Sequence, residues 1–185
     1  MLELGRIASV GDAIRDATVT FKRNDALIEA DRHRENGRWT YRALREEAER
    51  FAALLQSHGF ARGDRCAILM QNQARWPISA LGAFWAGATL VPLDYKLTAK
   101  EQLALLAHAR PRVLVTEYSR WLDLQREDEH ALARTLVLVT EAPADAALGR
   151  AQRRVERCLG DEHDRLELLH PRLALQIEPA RVLGD

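Results

Sequence analysis

From Cys66 onward the chain keeps a rhythm that leaves few folds open. Four short apolar stretches, Cys66 to Met70, Thr89 to Pro92, Val113 to Val115 and Thr135 to Val139, recur at intervals of a little over twenty residues. Each gap holds a segment of helical length. Strands joined by crossovers of that kind pair in parallel, with right-handed connections and helices covering the sheet. The first stretch, Cys66-Ala67-Ile68-Leu69-Met70, has no polar interruption, the pattern of a strand buried on both faces.

The elements around these strands carry their own punctuation. Ser9 or Asp12 is placed to cap a helix through GDAIRDATVTF. Ala26 to Ala30 and Arg38 to Arg42, separated by the polar DRHRENG, predict a hairpin. Between Tyr41 and His58, Leu44, Ala48, Phe51, Ala52 and Leu55 recur on one helical face, with Thr40 as the cap and Gly59 as the stop. Asn72 reads as the cap of a helix through Gly87, with Pro77 tolerated in its first turn. That helix carries Ala80, Gly82, Ala83, Ala86 and Gly87 beside Trp76, Phe84 and Trp85, so close packing is expected of it. Thr98 and Glu101 have the spacing of a capping box for a helix that stops near Pro111. A short helix is expected around Trp121 and another over Arg150 to Leu159. The organisation expected is an α/β unit over 1–141 and a divergent tail over 142–185, partly helical or irregular.

Composition narrows the function classes. The 185 residues hold 27 Lys+Arg against 27 Asp+Glu, so no net field favours nucleic acid or an anionic membrane. No apolar run is long enough for a transmembrane helix, and MLELGRIASV lacks the basic and apolar regions of a signal peptide. A cytoplasmic location is the expectation. Cys66 and Cys158 lack metal or redox spacing and read as reduced structural thiols. Lys22, Lys96 and Lys100 are the only lysines, which leaves lysine chemistry three places to occur.

Parallel sheets of this kind take ligands at the carboxyl ends of their strands. Those ends read Gln71-Asn72-Gln73-Ala74-Arg75, Asp94-Tyr95-Lys96, Glu117-Tyr118-Ser119 and Glu141-Ala142-Pro143. None has the glycines that let backbone N–H groups surround a phosphate. Gly82 and Gly87 fall inside a helix, where close packing explains them. His33, His58, His108, His130, His163 and His170 show no metal-binding spacing, and Asp161-Glu162-His163-Asp164 reads as an acidic surface turn. No G-x-S-x-G elbow occurs. Asp94-Tyr95-Lys96 is the one strand end where a carboxylate, a phenol and an ammonium meet. It is read first as a loop tyrosine over the core with solvated charges, and second as a lysine site. Trp39, Trp76, Trp85 and Trp121 lie in or beside apolar periodicities and read as packing residues.

The run from Trp39 to Glu117 resembles the amino-terminal part of the acyl-adenylating enzymes: acyl-CoA synthetases, luciferases and peptide-synthetase adenylation domains. The residues that carry the resemblance are WTY, GDRCAILMQN, GAFWAGATLVPLD and the T-x-x-E-Q-L…A-x-P-x-V-L-V-T-E stretch. It is most similar to the fatty-acyl and related CoA ligases. The resemblance implies a flavodoxin-like α/β sheet with helices on both faces, the first subdomain of an adenylate-forming enzyme. It also implies an AMP-forming ligase that uses ATP and Mg²⁺ to make an acyl-adenylate and passes the acyl group to a thiol such as CoA.

The family's phosphate loop ending in Pro-Lys-Gly, its Tyr-Gly-x-Thr-Glu stretch, its ribose-binding Asp and its carboxyl-terminal Lys have no counterpart in this sequence. No catalytic, cofactor-binding or metal residue is therefore assigned. The expected function is an amino-terminal ligase fragment, inactive alone and without a cofactor of its own. Its expected partners are a chain carrying the rest of the enzyme, or further copies through exposed apolar surface, for which the 75–88 helix and Trp85 are candidates. A non-catalytic interaction module, or an unrelated flavodoxin-like binding domain, are the alternatives.

Overall fold

The computed structural model describes residues 5, 7–140 and 176–178. Its contacts divide into two compact units, one formed by 1–64 with 72–90, the other by 65–71 with 91–185.

The first unit contains α1 (Val10–Thr20), the strands β1 (Asp25–Ala30) and β2 (Glu35–Thr40), α2 (Tyr41–Ser57) and α3 (Arg75–Trp85). Ser9 is the cap of α1, its Oγ accepting the Asp12 N–H at 3.1 Å. β1 and β2 pair antiparallel, but the second strand lies earlier than the 38–42 expected. Two local bonds shift it. The Asp31 carboxylate accepts the N–H groups of His33 and Arg34, which closes the turn within DRHR. At the other end Thr40 Oγ1 accepts the Ala43 N–H at 3.2 Å, so Tyr41 and Arg42 belong to α2. Gly37 lies inside β2 with the Trp39 ring where a Cβ would project. α2 ends at Ser57 with His58 as its C-cap, and Gly59 just beyond has a φ of 71°, which suits a residue without a Cβ.

One expectation about α3 is corrected and another is met. Its first residue is Arg75, not one that follows Asn72, and no side chain of the local sequence caps it. The cap comes from the hairpin: Glu29 Oε2 accepts the Ala74 N–H at 2.8 Å. Its small residues pack closely, as expected, and so form no exposed face: Ser79, Ala80, Gly82 and Ala83 are buried. Gly82 lies so close to α2 that a Cβ there would stand 2.6 Å from the Ala48 carbonyl oxygen. Trp85 is tied inward by its Nε1, which donates to the Gly11 carbonyl at 3.2 Å. Among the described residues, the exposed large apolar side chains are Val10, Val19, Phe21, Ile28 and, in the second unit, Leu105.

The second unit is built on the sheet. β4 (Thr89–Pro92) runs beside β3 (Arg65–Leu69), followed by β5 (Val113–Glu117), β6 (Leu136–Thr140) and β7 (Gln176–Glu178). The first four are parallel, with Cys66 opposite Val113 and Val113 opposite Leu136, whereas β7 joins β6 antiparallel. All five positions of β5 are buried, as expected of a strand covered on both faces. α4 (Ala99–Ala109) and α5 (Tyr118–Glu127) close the β-α-β crossovers. Leu103 and Leu106 of α4, and Trp121 and Leu124 of α5, pack with Ala67, Leu69, Leu114, Val137 and Val139. The capping box of α4 is complete: Thr98 Oγ1 accepts the Glu101 N–H, and Glu101 Oε2 accepts the Thr98 N–H at 2.9 Å. α4 stops at Arg110, whose φ of 47° is left-handed. The helix expected over 150–159 lies outside the described residues.

Candidate functional site

The strand order fixes where a ligand crevice belongs. β3 comes first in the sheet's chain order, and its neighbours β4 and β5 lie on opposite sides, so the winding reverses between β3 and β5. Parallel sheets bind ligands outside the carboxyl ends of the strands at such a reversal. The residues there are Gln71 and Glu117, 46 positions apart in the chain. The Gln71 N–H donates to Glu117 Oε1 at 2.8 Å, and Glu117 is 6% exposed. A buried carboxylate is costly unless its oxygens accept hydrogen bonds, and this one accepts one from the neighbouring strand end. Beside it, Thr140 Oγ1 donates to the Thr116 carbonyl at 3.4 Å. The sequence names both ends, but their adjacency requires the strand order.

The Asp94-Tyr95-Lys96 group does not converge on one point. Asp94 Oδ1 accepts the Lys96 N–H at 2.9 Å, which folds the loop back on itself. Tyr95 is half-buried against the sheet's core, while Asp94 and Lys96 are exposed. This is the loop tyrosine over the core, with flanking charges in solvent. The residue that organises the loop is Gln102, which sequence reasoning missed. Its Nε2 lies 3.2, 3.4 and 3.0 Å from the carbonyl oxygens of Asp94, Tyr95 and Leu97. The available signal was its spacing, one turn after Thr98 and one before Leu106, which puts a polar amide on the buried face of α4.

A cleft of about 310 Å³ opens in the first unit, lined by Leu27, Ile28, Ala30, Trp76 and Pro77, with Glu29 among them. A helix amino terminus ordinarily attracts anions. Here the Glu29 carboxylate already occupies that end of α3.

Burial pushes the Cys66 thiol up to about 12, so it is a protonated packing group at neutral pH. Among the described residues no three His, Cys, Asp or Glu side chains come together as a metal site. No described helix is long and apolar enough to cross a membrane. Cys158, the 161–164 cluster, His163, His170 and Glu141-Ala142-Pro143 lie outside the described residues.

Comparison with known proteins supplies what this geometry lacks. The family model described as AMP-binding enzyme matches residues 15–172. A methyl-dioxo-octahydroindenyl propanoyl:CoA ligase from Rhodococcus jostii strain RHA1 is 34% identical over 116 residues, which is 60% of this chain and 22% of that protein. Coronafacic acid ligase from Pectobacterium brasiliense shares the fold, with a TM-score of 0.66 at 22% identity over 75% of this chain and 27% of its own. The amino-terminal subdomain of Klebsiella oxytoca NpsA, solved with 3-hydroxybenzoyl-AMSN, matches at 28% identity and a TM-score of 0.53, over 58% of this chain and 26% of its own. The chain thus spans about a quarter of the length of such relatives. With the model matched over most of its length, the chain belongs to the AMP-binding enzyme family, of which it covers the amino-terminal part.

Proposed function

We propose that these residues are the structural amino-terminal portion of an AMP-forming acid–thiol ligase, a CoA ligase above all, and that they carry no adenylation chemistry by themselves. The observation behind this reading is the mismatch between the family match and the share of the relatives it spans. The scaffold is present, whereas the phosphate loop, adenine stretch and mobile lysine have no counterpart in the sequence. The crevice at the strand reversal offers a carboxylate and no glycine-lined cradle, an unfavourable setting for triphosphate. In this reading ATP, Mg²⁺ and CoA bind to the residues that complete the enzyme, and the complete ligase works in the cytoplasm.

ATP–pyrophosphate exchange with a panel of aliphatic and aromatic acids tests it. The 185-residue chain is expected to give no exchange above background, and activity is expected to appear when a polypeptide carrying the remaining motifs is added. Exchange by the chain alone would overturn the reading. If exchange never appears although the two polypeptides bind each other, the non-catalytic interaction module takes its place. Family membership already removes the unrelated binding domain from consideration.

A further inference from the structure

Among the described residues of the second unit, two buried polar side-chain atoms have no protein partner, and they lie on one face of the sheet. Gln102 is fully buried on α4, and its Oε1 has no hydrogen-bond partner. The amide cannot be turned to hide this, because its oxygen would then face the three carbonyl oxygens that Nε2 now serves. Thr116 is also fully buried, and its Oγ1 has no partner either.

Helix spacing and strand register place the two on the same face of the sheet. Gln102 stands three residues after Ala99 and four before Leu106, both of which belong to the face of α4 that packs on Ala67, Leu69, Leu114, Val137 and Val139. Thr116 is opposite Leu69 on one side and Val139 on the other. In-register neighbours in a sheet point the same way, so Thr116 projects into the layer that α4 and α5 cover together. Both side chains also lie toward the carboxyl end of the sheet, since Gln102 holds the loop after β4 and Thr116 is the penultimate residue of β5. Oε1 only accepts, whereas the hydroxyl both donates and accepts. A leftover acceptor and a leftover hydroxyl in one closed layer are complementary.

We infer that an internal water beneath α4 joins Gln102 Oε1 to Thr116 Oγ1. A buried water typically makes about three hydrogen bonds to polar groups left over by the protein, and it can donate to the amide oxygen while bonding the hydroxyl. Gln102 is then a positioning residue with two roles. Its nitrogen fixes the loop Asp94–Leu97, and its oxygen ties that loop through the water to the end of β5, next to Glu117. The loop after β4 and the Gln71–Glu117 contact between β3 and β5 become one polar assembly.

Two measurements on the 185-residue chain test this. In the first, Thr116→Val is compared in the wild-type and Gln102→Met backgrounds by urea unfolding. A shared water predicts a clear drop in midpoint in the wild type and a much smaller drop once Gln102 is gone, whereas equal drops in both backgrounds would overturn the inference. The second needs no variant. Water-selective NMR on protein with a labelled Thr116 methyl should show a persistent water-to-methyl cross-peak. Absence of that cross-peak, or a high-resolution map with Oγ1 bonded directly to Oε1, would also overturn it.

Discussion

Replacing Gly82 with Ala tests whether α2 and α3 are held together by a close approach of their backbones. In an exposed helix interior the change would be favourable, since Ala exceeds Gly by about 1 kcal/mol in helix propensity. The structure reverses that sign. The added Cβ would lie 2.6 Å from the Ala48 carbonyl oxygen and 2.8 Å from Phe51 Cδ1, about 0.8 Å inside ordinary contact with a backbone atom that cannot rotate away. α3 would have to move off α2 and loosen the packing around Phe51, which is 3% exposed. Overpacking costs roughly 1–3 kcal/mol, and a clash of this depth against a backbone atom belongs in the upper part of that range, about 2–3 kcal/mol, so after the propensity gain the net loss should be about 1–2 kcal/mol. For a chain of this size that is a fall in Tm of roughly 2–8 °C, measurable by circular dichroism or urea unfolding. Gly82→Ser should cost at least as much. An Ala variant as stable as the parent would refute the close approach.

Two further outcomes follow from helix ends. Arg110 holds a left-handed conformation at the end of α4, where a side chain costs about 1–2 kcal/mol; Arg110→Gly should therefore raise the urea midpoint slightly, the gain being trimmed by the freer unfolded chain, while Arg110→Val should lower it. The Thr98 hydroxyl and N–H hold the Glu101 carboxyl below its ordinary 4.5; because the folded value is the lower one, the stabilisation is present above about pH 4.5 and is lost as pH falls through the folded value. NMR titration should place the Glu101 midpoint below 4.5 in the parent and return it toward 4.5 in Thr98→Ala.

Local chemistry made much of this molecule legible in its sequence. Ser9, Thr40 and the Thr98–Glu101 box act within three residues of themselves, so their helix starts required no knowledge of the fold. The apolar strands and their spacing determined the parallel α/β layout, because a crossover of that length cannot make a hairpin. The motifs from Trp39 to Glu117 extended that reading to the family.

What required tertiary structure was every bond between distant segments. α3 begins at Arg75 because Glu29, from a different hairpin, caps it, so a local reading of Asn72 had no access to the cause. Gln71 and Glu117 meet because β3 and β5 are neighbours although β4 intervenes in sequence, and periodicity does not specify strand order. The dual state of Gln102, with its nitrogen satisfied and its oxygen not, depends on where three carbonyls of the loop after β4 converge. Sequence determines which groups need partners; only the packed fold determines which partners reach them, since a hydrogen bond is decided within a few tenths of an ångström.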